Sequence, residues 1–175
     1  MNKRVRKYVI GYIITLVTVV ACMFVTFSFI LMRTKVVSSS MEPFLETGKT
    51  VYVNRLAYLK KDVQRGDVVW FKGEDVEILV KRVIGLPGDK ITFEDGYVFV
   101  NDVVLDESAY LDEDVETMCY KIFYVPEGCY FMLGDNRNNS KDSRFFQYPY
   151  ISKDDIIGKY IGRERFWEKE RGSRD

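Results

Sequence analysis

The sequence contains no histidine, so a serine acting as a nucleophile would need another proton acceptor. Ser40, in Ser38-Ser39-Ser40-Met41-Glu42-Pro43, raises that question. On its own, a serine-rich turn closed by proline is ordinary. Lys81 changes the balance. It sits in Ile78-Leu79-Val80-Lys81-Arg82-Val83-Ile84, where strand alternation puts Leu79 and Val83 beside Lys81, and Val80 and Ile84 beside Arg82. A strand apolar on both faces is expected to be buried on both, and lysine is rarely buried. The segment leaves two readings open. Either the side chain snorkels its amine to water, or the amine is desolvated for a purpose. At a pKa of ~10.4 only about one lysine in 2,500 is neutral at pH 7. Burial can lower that pKa by up to ~5, which makes the amine a usable general base. Serine–lysine pairs are one of the arrangements that replace a histidine triad.

The elements around these residues begin with Tyr8 to Met32, a run without Asp, Glu, Lys or Arg. Its 25 residues would make a helix of about 37 Å, enough to cross a ~30 Å hydrocarbon core with some tilt. Lys3, Arg4, Arg6 and Lys7 precede the run; Arg33 and Lys35 follow it. The positive-inside bias therefore predicts a single-pass anchor with a cytoplasmic N-terminus and the remainder outside. A cleavable signal peptide is the rival, but its apolar core is ~7–15 residues and ends at a small-x-small site. Arg33-Thr34-Lys35 is not such a site. A buried globular helix would need a polar face, which this run lacks.

The 175-residue chain is formally neutral. Six of its basic groups and no acids lie in residues 1–35, leaving a net charge of −6 on the rest. That balance argues against nucleic-acid binding. Beyond Ser40 the pattern is of short β segments: 50–53, 67–71, 78–84, 90–93, 97–100 and 103–105, with Asp95-Gly96 as a hairpin signal. Asp106 to Glu116 reads as a solvated loop and Lys153–Ile157 as a short helical stretch. The architecture expected is mainly β: residues 1–7 cytoplasmic, 8–32 the anchor, 33–162 a compact all-β domain, and 163–175 a polar tail. Cys119–Val125 and Cys129–Leu133 are expected to form a hairpin about Pro126-Glu127-Gly128. That pairing would hold Cys119 and Cys129 roughly 20 Å apart as free thiols.

Four segments, read together, resemble the bacterial type I signal peptidases. Ser38–Pro43 resembles their nucleophile box, and Lys81-Arg82-Val83-Ile84-Gly85-Leu86-Pro87-Gly88-Asp89 their lysine box. Gly134-Asp135-Asn136-Arg137-Asn138-Asn139-Ser140-Lys141-Asp142-Ser143-Arg144 is similar to their third box, and Arg65–Val69 to an intervening structural one. The order is the family's, across Val36 to about Lys159. The resemblance implies Ser40 as nucleophile and Lys81 as general base. It implies Ser38 as a hydroxyl donor to the oxyanion and Ser140 as the group orienting the amine. Asp142 and Arg144 would form an ion pair beside the site, with Asp135 and Asn136 shaping the loop. Val36, Leu45 and Val80 match positions lining a shallow apolar substrate cleft. The implied partners are signal-peptide-bearing preproteins and membrane lipid, with no metal or organic cofactor. Phe145-Phe146 followed by Gln147 departs from the family's aromatic pair and glycine, and the stretch before the third box is short.

Other motifs have plainer explanations. Asp135–Asn139 has the outline of a calcium loop, but Arg137 stands at the third ligand position and the bidentate Glu is missing. Arg65-Gly66-Asp67 reads as a turn, and a glycan on Asn138-Asn139-Ser140 would block the site. Glu42 beside Pro43 is expected to be solvated. Two rival functions are a self-cleaving Ser-Lys protease of the repressor type and an inactive anchored β domain assisting secretion. The anchor and the missing DNA-binding domain speak against the first, and retention of Ser40, Lys81 and Ser140 against the second.

Overall fold

The computed structural model describes residues 3–73, 77–112 and 114–163. Helix α1 runs Lys3–Ile30, and among the described residues its Arg4–Ile30 stretch is the one helix long and apolar enough to cross a membrane. From Arg4 to Phe29 its side chains are exposed, with no other described part of the chain covering them. The hydroxyls of Thr15, Thr18, Thr26 and Ser28 each donate to the carbonyl four residues back. That arrangement satisfies these four hydroxyl protons within the helix itself. The helix stops two residues before the uncharged run does, because Leu31–Lys35 forms strand β1. β1 pairs with β2, Thr50–Asn54, from Leu31↔Asn54 to Lys35↔Thr50. Arg55 N donates to Ile30 O (2.9 Å), fixing the helix end to the sheet.

Two antiparallel sheets follow. The larger contains β1, β2, β3 (Val68–Lys72), β4 (Ile78–Gly85), β9 (Cys129–Leu133), β10 (Tyr150–Ser152) and β11 (Ile156–Arg163). Their spatial order is β1-β2-β11-β3-β4-β9-β10. The smaller sheet holds β5 (Lys90–Glu94), β6 (Tyr97–Val100), β7 (Val103–Val104) and β8 (Phe123–Tyr124), ordered β7-β6-β5-β8. Between β5 and β6, Asp95 and Gly96 take φ of 48° and 83°, the positive values that a two-residue hairpin turn requires.

β4 explains how the core divides. Val80 packs with Val36, Met41, Leu45, Val53 and Trp70. Val83 joins Val69, Phe71, Met132 and Phe146, with Leu79 against them. Ile84 joins Ile91, Val98, Phe123, Phe131 and Leu133. One strand thus serves three apolar clusters and has no solvent face from Val80 onward. The Lys81 side chain has nowhere else to go.

Several expectations are corrected. Cys119–Val125 does not pair with Cys129–Leu133. Instead Tyr124 and Phe123 sit opposite Lys90 and Ile91 of β5, while β9 lies between β4 and β10. The Phe123 and Phe131 rings meet at 4.6 Å between centroids, so that segment is held by packing between the sheets rather than by a hairpin ladder. Cys119 and Cys129 are unpaired thiols, half-buried against the same cluster. Lys153–Asp155 is a single 3-10 turn capped by Ser152, and Ile156 begins β11, which threads between β2 and β3. Arg163 ends that strand, and the rest of the expected tail lies outside the described residues. Asp106–Glu116 is a loop but not a freely solvated one. Glu107 accepts two bonds from the buried Arg137 guanidinium, and Tyr110 lies over Arg82.

Candidate active site

Ser40 and Lys81 are brought together from 41 residues apart. Nζ lies 2.5 Å from Oγ, and both residues are buried, at 2% exposure for Lys81 and 7% for Ser40. β4 sets the lysine in register opposite Val69. Burial pulls its pKa down from 10.5 to about 8, against the opposing pull of the Asp142 and Asp135 carboxylates. An amine with that pKa is partly neutral at pH 7 to 8 and can accept the Ser40 proton across the existing contact. Ser38 Oγ lies 3.2 Å from Ser40 Oγ. A hydroxyl at that distance from the attacking oxygen is near where charge develops on a carbonyl under attack.

The Ser40 turn is clamped by the loop after β9. Asn136 N donates to Ser40 O (3.1 Å) and Asn136 Nδ2 to Ser39 O (3.1 Å). Asn139 Nδ2 donates to Ser39 Oγ (3.0 Å). Glycine is required at Gly134, where an added Cβ would lie 2.2 Å from Ser140 Oγ and 2.5 Å from Ser40 O. The loop is itself anchored by two buried guanidinium–carboxylate pairs. Arg82 Nε and Nη2 donate to the two Asp135 oxygens at 2.8 and 2.5 Å. Arg144 grips Asp142 with Nε and Nη2 at 2.9 Å each and donates to Arg137 O. Asp142 also accepts from Gly134 N (3.1 Å). The paired geometry of both arginines suits their planar fork.

The remaining candidates divide. Ser140 is buried beside Gly134, but its Oγ makes no hydrogen bond among the described residues, so an orienting bond to Lys81 is not formed here. Val36, Leu45 and Val80 do converge, in one cluster with Met41, the residue after Ser40. At 3%, 2% and 8% exposure they form packed apolar ground rather than an open cleft. A cavity of about 340 Å³ instead opens on the other face of β4, with Ser38, Ser40 and Lys81 at its base and Leu79 and Phe146 in its wall. Glu42 is half-buried rather than freely solvated, and accepts from the Thr47 amide and hydroxyl, which hold its carboxyl below the usual range.

Residue reasoning missed Asn139, Glu107, Tyr110 and the role of Arg137. Arg137 is buried and donates to Gly134 O, Thr117 Oγ1 and Glu107. The available signal was an arginine inside a small polar loop, whose own aspartates, Asp135 and Asp142, are taken by Arg82 and Arg144. Its partner lies 30 residues away.

A family model described as signal peptidase, peptidase S26, matches residues 9–166, a stretch that includes Ser38, Ser40, Lys81 and the whole third box. The chain belongs to the signal peptidase family S26. Among its relatives in that family is signal peptidase IB of Staphylococcus aureus (strain COL), 33% identical over 179 residues, covering 93% of this chain and 91% of the relative. The probable signal peptidase I-2 of Synechocystis sp. is 34% identical over 137 residues, covering 74% of this chain and 60% of that one. A solved signal peptidase I from Enterococcus faecalis V583 superposes with a TM-score of 0.48 at 28% identity, covering 58% of this chain and 98% of that one.

Proposed function

We propose that this S26 family member is a membrane-anchored endopeptidase that removes signal peptides from preproteins by acyl transfer through Ser40. The observation that carries the reading is the buried 2.5 Å contact between Lys81 Nζ and Ser40 Oγ in a chain without histidine. In the neutral form of the amine, the Ser40 hydroxyl donates to the Nζ lone pair and Oγ attacks the scissile carbonyl. The carbonyl oxygen becomes an oxyanion held by the Ser40 backbone N–H and the Ser38 hydroxyl. Collapse of the adduct breaks the C–N bond, and the Lys81 ammonium returns its proton to the leaving nitrogen. Water then gives its proton to the same amine and attacks the ester carbonyl; collapse breaks the C–Oγ bond, and the Lys81 ammonium returns the proton to Ser40 Oγ. Ser140 would orient the amine once substrate fills the site, since apo geometry at catalytic groups often tightens on binding. Val36, Leu45 and Val80, packed as they are, would give the firm apolar floor beneath the small residues before the cut.

α1 would span the cytoplasmic membrane with its basic N-terminal flank inside. That arrangement puts the β domain where the apolar core of a signal peptide holds its cleavage site, so substrate and nucleophile share a surface. The test is incubation of the purified protein with a model preprotein, the cut site being read by mass spectrometry. Wild type is expected to yield a single cut at the signal junction, and Ser40→Ala and Lys81→Ala to yield none while keeping their β circular dichroism. Processing by Lys81→Ala at the wild-type rate would refute the dyad.

A further inference from the structure

The two faces of β4 divide the surroundings of the dyad. Val80 points into the cluster of Val36, Met41 and Leu45, whereas Leu79 and Val83 lie with Phe146 on the side of Lys81. On the reading of Lys81 as the group that reprotonates the leaving nitrogen, the chain beyond the scissile bond has to depart on the lysine side. The cavity of about 340 Å³ opens there, and Val36, Leu45 and Val80 take no part in its lining. Its volume is at the lower end of what binding pockets use, enough for a short stretch of peptide rather than a folded partner.

Its rim carries two opposite charges. Glu77 lies two residues before Leu79 on the way into β4, and Lys141 directly follows Ser140; both are exposed and both line the cavity. Neither side chain makes an ion pair with another described residue. This sets them apart from the arginines and aspartates of the third box, which are buried and paired. A carboxylate and an ammonium with no ion-pair partner among the described residues, on a cavity that Ser40 also lines, are available to a ligand.

We propose that this cavity is the subsite for the first residues of the mature protein, and that Lys141 and Glu77 read their charge. Leu79 and Phe146 supply the apolar wall against which the departing chain lies. Lys141, adjoining the dyad through Ser140, favours an acidic side chain at one position after the cut, and Glu77 favours a basic one at another. The proposal rests on the peptidase reading, and its test separates the two.

Model preproteins identical up to the cut, with Asp, Ser or Lys at each of the first three mature positions, are digested by wild type, Lys141→Glu and Glu77→Lys. The readout is the Asp-to-Lys ratio of kcat/KM at each position, which cancels any loss of folded enzyme. Wild type is expected to prefer Asp at one position by about fivefold, the size of a partly exposed ion pair. Lys141→Glu should reverse that preference there, and Glu77→Lys should reverse the Lys preference at its own position. Ratios near one throughout, or ratios unmoved by both substitutions, overturn the subsite while leaving the peptidase intact. Failure of wild type to cut any substrate overturns the peptidase reading itself, and this proposal with it.

Discussion

At the scale of single residues, burial of the Lys81 amine carries a stability cost. Its folded pKa is about 8, against 10.5 for the free side chain. As pH falls from 10.5 to 8 the unfolded chain takes up the proton first, so stability declines across that window and is lower by a constant amount beneath it. The full penalty is about 3 kcal/mol. Lys81→Met is therefore expected to unfold at higher denaturant than wild type at pH 7, with the advantage shrinking as pH rises through 8 to 10.5. Equal midpoints at pH 7 would mean that the amine reaches water after all. Ser38→Ala is expected to lower kcat by about a hundredfold with little change in KM, as loss of an oxyanion donor does. A rise in KM at constant kcat would make Ser38 a binding residue instead.

At the scale of elements, the Ser40 turn is held by a loop that is held in turn by arginines. Gly134→Ala would push a Cβ into Ser140 Oγ and Ser40 O, moving the turn. Activity should fall by about a hundredfold or more, with the sheet retained by circular dichroism; undiminished activity would show that the close approach has no catalytic consequence. Glu107→Ala leaves the buried Arg137 charge without its carboxylate and should cost about 3 kcal/mol of stability. Less than that is expected for Glu107→Ala in an Arg137→Met background, as read by a double-mutant cycle.

Much of this scale was legible from the residues. The strand about Lys81 was readable because two-sided apolar alternation has no other stable home, and the Asp95-Gly96 hairpin because few residues tolerate its turn. β11 was not readable. Gly158 and Gly162 interrupt its apolar pattern, and the Ser152 cap gives its start a helical look. The mistaken hairpin at Pro126-Glu127-Gly128 followed from taking neighbours in sequence as neighbours in the sheet. Phe123 instead answers to Phe131 across the core. Glu107 looked solvated because its partner, Arg137, is joined to it only by the fold.

At the scale of the whole molecule, one exposed apolar helix leads within ten residues to Ser40, with β1 tying the helix end into the large sheet. A chain beginning at Leu31 keeps β1 and is expected to cleave a short soluble peptide at close to the wild-type kcat/KM. On a preprotein embedded in vesicles it should be slower by about a hundredfold, having lost the shared surface. Equal rates on the embedded preprotein would deprive the anchor of its positioning role. The site itself depends on the coming together of β4, the serine turn and the post-β9 loop, and on the burial of the amine among them. The pH dependence of single-turnover acylation tests that burial most directly. The rate should rise about tenfold per pH unit below 8 and level off above it; a flat profile from pH 6 to 10, or a midpoint near that of a free lysine, would contradict a desolvated Lys81 as the base.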